Sequence, residues 1–220
     1  MKKAFAIIPA KKFENSKTRL SSILDVKERA ELAKLMLHDT LATLGRLDVL
    51  CGVLVVSSDK RAQEIAHEHG ATFILEGKDA GVNSAVALAD RHCIEAGADA
   101  SIVVPQDLPL LNVEDLAEFF TVARAADRSG CIAICPSLRY DGTNVLLRRP
   151  PAVIRTHYDS NSYEMHIKAA RDAGAAVHVV RAERLMFDID TPGDVAQLRA
   201  VKEKITARAA AEFLLSRVAP

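Results

Sequence analysis

A chain of 220 residues with 49% hydrophobic and 26% charged side chains can bury a substantial core without disulfide staples. Its 29 Lys and Arg balance 29 Asp and Glu, so no net field draws in nucleic acid or an anionic membrane. The four cysteines (Cys51, Cys93, Cys131, Cys135) have neither zinc-ribbon nor C-x-x-C spacing, and buried reduced thiols fit Cys131 and Cys135 on one face of a strand.

The first ten residues imitate a signal peptide, but the apolar run is very short, broken by Pro9 and followed by Lys11 and Lys12. A buried first strand over Ala4–Ile8 accounts for them better. No apolar run reaches the length of a membrane span, and a cytoplasmic location is the expectation. A basic loop follows, carrying Lys11, Lys17 and Arg19. Asp25 with Glu28 reads as a capping box, opening a helix that turns Leu32, Leu35, Met36 and Leu44 inward. Val53–Val56 form a second strand, ending at Ser57-Ser-Asp59, and a helix runs on to Gly70, a C-cap. Thr72–Leu75 are a third strand. Gly81-Val-Asn83 then leads into a helix that stops at Gly97.

Ile102–Val104 read as a short buried strand, with Asp107 in the loop beyond it and a helix opening at Asn112. Cys131–Cys135 and Asn144–Leu147 are strands with no helix between them, so the second runs antiparallel. Ser162–Ala173 are helical and Val177–Val180 extended. The last helix starts near residue 191, with Thr191 as cap and Pro192 where a missing N–H costs nothing. Leu198, Val201, Ile205, Phe213 and Leu214 give it an apolar stripe with two readings: packing on its own sheet, or a homodimer contact. Strands alternating with helices, and no linker, predict one domain over residues 1–220 with a three-layer α/β fold and a mainly parallel sheet.

Open α/β sheets bind ligands beyond the carboxyl ends of their strands, which is where Asp107 falls. Far downstream, Phe187-Asp-Ile-Asp-Thr-Pro192 offers two more acids. If this segment is extended, Asp188 and Asp190 project from one face about 6.6 Å apart along the strand. Three carboxylates suit a hard cation such as Mg²⁺, and Lys11, Lys17 and Arg19 at the same sheet edge suit a triphosphate. The competing account makes Asp107 a turn residue and the basic loop a solvated surface. His67-Glu-His69 is a helix end whose side chains diverge, and no P-loop, G-x-G-x-x-G or nucleophile elbow is present.

The sequence resembles the 2-phospho-L-lactate guanylyltransferases, also called phosphoenolpyruvate guanylyltransferases, of deazaflavin (factor 420) coenzyme biosynthesis. The resemblance rests on Ile8-Pro-x-Lys11 with Lys17-Thr-Arg-Leu20, Val55-Val-Ser-Ser-Asp59, Gly81-Val-Asn83, Pro105-Gln-Asp-Leu-Pro-Leu110, Gly142-Thr-Asn144 and Asp188-Ile-Asp-Thr-Pro192. It implies a three-layer αβα nucleotidyltransferase-like (nucleotide-diphospho-sugar transferase) fold with a mixed, mainly parallel sheet. It also implies GMP transfer from GTP to a small phosphorylated carboxylic acid. By the same resemblance Asp107, Asp188 and Asp190 would hold Mg²⁺, and Lys17 and Arg19 the triphosphate. Asn83 and the Ser58 region would meet ribose or base, and Thr143 and Ser162 the acid. The family has a glycine where Asp159 stands, so the identity of the acid is open: 2-phospholactate, phosphoenolpyruvate or 3-phosphoglycerate. Asp159 would face that acid, or pair with Arg155 or His157. The rival readings are a sugar-phosphate or molybdopterin nucleotidyltransferase, a non-catalytic nucleotide-binding subunit, and a haloacid-type phosphatase. The last needs its aspartate motif after the first strand and a glycine where Pro192 stands.

Overall fold

In the computed structural model, which describes residues 3–126, 130–201 and 209–217, seven strands form one sheet. They are β1 (Ala4–Ala10), β2 (Leu50–Ser57), β3 (Thr72–Leu75), β4 (Ala100–Val103), β5 (Cys131–Pro136), β6 (Thr143–Arg149) and β7 (Ala176–Val179). Across the sheet the order is β3-β2-β1-β4-β6-β5-β7. Every neighbouring pair is parallel except those of β6, which runs antiparallel to both β4 and β5.

The central strands are apolar on both faces because both are covered. Along β1, Ala4, Ala6 and Ile8 face one core, while Phe5 and Ile7 face the other. The first core is closed by α1 (Val26–Leu44), α2 (Lys60–Glu68) and α4 (Val113–Ala125), through Leu37, Leu41, Ile65, Leu116, Phe119 and Phe120. The second is closed by α3 (Val82–Glu95) and α5 (Ser162–Asp172), through Val86, Ala89, Cys93 and Ala170. Each large apolar side chain so buried contributes about 1.5–3 kcal/mol. This is the expected three-layer αβα arrangement with a mixed, mainly parallel sheet.

Local chemistry sets the element ends. Asp25 accepts the Glu28 N–H while the Glu28 side chain accepts the Asp25 N–H, and Asn112 accepts the Asp115 N–H at the start of α4. Gly70 and Gly97 take φ of 67° and 66° just past their helices, where a side chain would be strained. Beneath the sheet, Arg148 of β6 is wholly buried and grips Asp90 of α3 with two bonds of 2.6 and 2.7 Å. Its guanidinium also donates to Ser101 of β4 at 3.1 Å, fastening strand to helix.

The C-terminal region departs from the sequence reading. A short α6 (Glu183–Met186) precedes the acidic segment, and among the described residues the expected single last helix gives two. α7 (Pro192–Ala200) ends at a cap on Val201, and α8 (Ala209–Arg217) folds back. Ile205 lies outside the described residues. The stripe packs on α1 rather than on the sheet, since Leu198 and Leu214 are buried with Leu32 and Met36. Asp39 of α1 accepts the Ala209 and Ala210 N–H groups, so α8 borrows its cap from α1. No helix among the described residues is long and apolar enough to cross a membrane.

Candidate active site

The antiparallel turn of β6 builds the site. Parallel strands β1 and β4 deliver the residues that follow them to the carboxyl edge of the sheet, and β6 starts at that same edge. A cavity of about 820 Å³ opens there. Lys11, Lys17 and Arg19 line it from the loop after β1, and Asp107 from the turn after β4. Thr143 enters at the start of β6 and Ser162 at the start of α5, while Asp188 and Asp190 come from the segment before α7.

At its floor Lys17 meets the acids. Its ammonium donates to Asp107 Oδ2 at 2.7 Å, Asp190 Oδ1 at 2.9 Å and the Ile189 carbonyl at 2.7 Å. These use all three donors an ammonium has. Burial by itself would lower the Lys17 pKa, but the Asp107 and Asp190 carboxylates outweigh it and raise the pKa. Lys17 takes a left-handed backbone with φ 52°, an uncommon state for a non-glycine residue, costing about 1–3 kcal/mol. Asn161 (φ 46°) and Tyr140 (φ 59°), on the loops around the acid side, do the same.

The segment Phe187–Asp190 pairs with no strand, yet it alternates as expected: Phe187 and Ile189 are buried and the two aspartates face the cavity. The Ile189 N–H donates to the Asp107 carbonyl at 3.1 Å, which fixes the acids side by side. Burial and the Asp107 charge push Asp188 up to about 6, even though Asn144 donates to it at 3.2 Å. Asp190 goes the other way: burial would raise it, but the Lys17 ammonium holds it below the usual carboxylate range. Arg19 stands 3.5 Å from Asp190. Among the described residues no three His, Cys, Asp or Glu side chains form a ready metal cage.

Beside Thr143, loop 137–142 closes on itself. The Gly142 N–H donates to Ser137 Oγ at 3.0 Å, and a Cβ on Gly142 would lie 3.2 Å from that oxygen. Thr143 Oγ1 lies 3.0 Å from Nδ1 of the buried His166.

Asp159 lines the cavity, but its carboxylate pairs with neither Arg155 nor His157: it accepts a bond from Asn83 Nδ2 at 3.0 Å. The Asn83 Oδ1 accepts the Tyr158 N–H at 2.9 Å. Asn83 therefore latches the 157–161 loop to α3, and neither it nor Ser58 is among the residues lining the cavity. Gly81 takes φ of 91° at the start of α3. His69, at the end of α2, is hydrogen-bonded to His38 of α1 at 3.1 Å rather than solvated.

Sequence reasoning missed Gln106 and Arg139, which line the cavity from irregular turns with no pattern to mark them. It also missed His166, whose signal was its place one helical turn after Ser162. Burial, and then the charges of His157 and Arg148, hold the His166 pKa at about 3, against 6.5 for a free imidazole. Between those values the unfolded chain binds a proton that the folded one refuses, so stability falls as pH drops below about 6.5 and is complete above it. In urea titrations across that window, His166→Asn should lessen the loss on acidification by up to about 1.4 kcal/mol per pH unit.

A basic loop facing half-buried carboxylates across a cavity at the strand ends suits a nucleotidyltransferase, and the comparisons agree. The family model "Guanylyl transferase CofC like" matches residues 4–214. The chain belongs to that guanylyltransferase family. It is 36% identical to the phosphoenolpyruvate guanylyltransferase of Rubrobacter xylanophilus, over 89% of this chain and 93% of the relative. It is 34% identical to the 2-phospho-L-lactate guanylyltransferase of Methanothermobacter thermautotrophicus, over 89% and 84%. With the 3-phospho-D-glycerate guanylyltransferase of Colwellia psychrerythraea it shares 28%, over 91% and 93%. Among solved structures, a cytidylyltransferase from Leptospira borgpetersenii aligns with a TM-score of 0.63 at 14% identity, covering 98% of this chain and 93% of that one. That likeness supports the nucleotidyltransferase fold.

Proposed function

We propose that this enzyme transfers GMP from GTP to the phosphate of a small phosphorylated carboxylic acid. The observation that carries the reading is the Lys17 ammonium lodged between Asp107 and Asp190, with Thr143 and Ser162 across the same cavity. An oxygen of the acid's phosphate attacks the α-phosphorus of GTP, and the bond to the β-phosphate oxygen breaks. Pyrophosphate leaves with that electron pair. No protein nucleophile is needed, so the protein's task is to gather two polyanions and align them.

Asp107, Asp188 and Asp190 fit Mg²⁺ as hard oxygen donors, and the ammonium held between Asp107 and Asp190 supports a cation position there. Held by these carboxylates, Mg²⁺ would supply positive charge to offset the negative charge that grows on the leaving group. Lys17 would then leave Asp107 and Asp190 for the triphosphate, joined by Arg19 and Lys11 from the same loop. Its flexible four-carbon stem suits that exchange. Thr143 and Ser162 bind the acid. Asn83 and Asp159 act together as a latch that shapes the acid side.

The test is pyrophosphate release by the purified protein with Mg²⁺, crossing four nucleoside triphosphates with phosphoenolpyruvate, 2-phospholactate and 3-phosphoglycerate. Release is expected with GTP and at least one acid, and no release with any pair would refute the reading.

A further inference from the structure

We infer that His166 is a positioning residue that commits the Thr143 hydroxyl to donating a hydrogen bond into the acid side of the cavity. The inference rests on the reading of Thr143 as an acid contact, and its logic is one of donors and acceptors. The His157 backbone N–H lies 2.8 Å from His166 Nε2. A backbone N–H only donates, so Nε2 must be bare. The ring is fully buried among groups that keep it neutral. Its single proton is therefore on Nδ1, 3.0 Å from Thr143 Oγ1.

The direction of one bond follows. The Thr143 oxygen receives from the ring, which leaves its own proton for another acceptor, and among the described residues no second partner is present. Thr143 lines the cavity while His166 does not, so that proton serves the cavity. The opposite tautomer would turn the hydroxyl's lone pairs toward an anionic ligand and repel it. Held as it is, the hydroxyl matches a phosphate or carboxylate oxygen, which only accepts. The same imidazole anchors the loop carrying Asp159, and Tyr158 packs edge-on against it at 4.9 Å. One buried ring thus sets both the strand side and the loop side of the acid pocket.

Two measurements test this. In protein labelled with ¹⁵N-histidine, His166 should show the neutral, Nδ1-protonated pattern without change between about pH 5 and pH 9. An Nε2-protonated or charged ring would overturn the inference, whatever reaction the enzyme catalyses. Kinetically, His166→Phe should raise KM for the best acid about tenfold and KM for GTP less than threefold, as expected for a weakened hydrogen bond to a charged group. His166→Asn, which keeps an N–H near the Nδ1 position, should recover most of the loss. In a Thr143→Val background His166→Phe should add nothing further. An equal rise in both backgrounds, or equal rises for both substrates, would mean that His166 only holds the fold together. If His166→Phe does not fold, the NMR result decides. If wild-type enzyme releases no pyrophosphate, the proposed function fails while the tautomer measurement still stands.

Discussion

Lys17→Met is expected to destabilise the ligand-free protein by about 2–3 kcal/mol and to make its stability depend on Mg²⁺. Removing one partner of a buried ion pair costs about 3–5 kcal/mol because the other charge is stranded. Here the loss is smaller, since the Asp190 side chain is 40% exposed and solvent screens it. The variant leaves Asp107, Asp188 and Asp190 facing one another without their ammonium, so a divalent cation has more repulsion to relieve than in the wild type. Urea unfolding with and without Mg²⁺ measures this. The variant should gain more from Mg²⁺ alone than the wild type does, and equal gains would mean that Lys17 and the cation do not share a position. Guanylyl transfer should fall as well, because in the proposed reading the same side chain meets the triphosphate.

Asp107→Asn should lower the single-turnover rate at saturating Mg²⁺ at least about 100-fold, or about 2.7 kcal/mol of transition-state stabilisation. The amide preserves shape but withdraws the charge that meets Lys17 at 2.7 Å and, in the proposed reading, the cation. Its backbone carbonyl still receives the Ile189 N–H, and Asp190 still accepts from Lys17, so the acidic segment should remain in place. A loss below threefold would reduce Asp107 to a turn residue.

How much of this was legible in the sequence depends on how local each signal is. The capping box at Asp25, the cap at Thr191, the glycine stops and the buried run Ile102–Val104 depend on neighbours a few residues away, and the structure bears them out. The antiparallel β6 was legible because too few residues separate it from β5 to make a crossover. What Lys17 does was not legible. Its partners lie 90 and 173 residues away, and its direction depends on a left-handed backbone that no glycine announced. Asn83 is a related case: both ends of its amide bond the opposite loop, 75 and 76 residues away, and no local pattern announces that. The break between α7 and α8 was hidden by alanine-rich sequence that satisfies helical periodicity whether or not the chain turns.

The reversed direction of β6 has a consequence for how such an enzyme can change. Thr143 enters on a hairpin, whose connecting residues 137–142 close through Ser137 and Gly142, whereas the aspartates come from the end of β4 and the segment after α6. In the proposed reading, the residues that meet the acid and those that meet the metal and triphosphate would then sit on separate stretches of chain. Insertions or replacements in the hairpin, or at Asp159, can reshape the cup for the acid without moving the carboxylates. A lineage could trade one three-carbon acid for another by editing a tip of the molecule while its phosphorus chemistry stays intact.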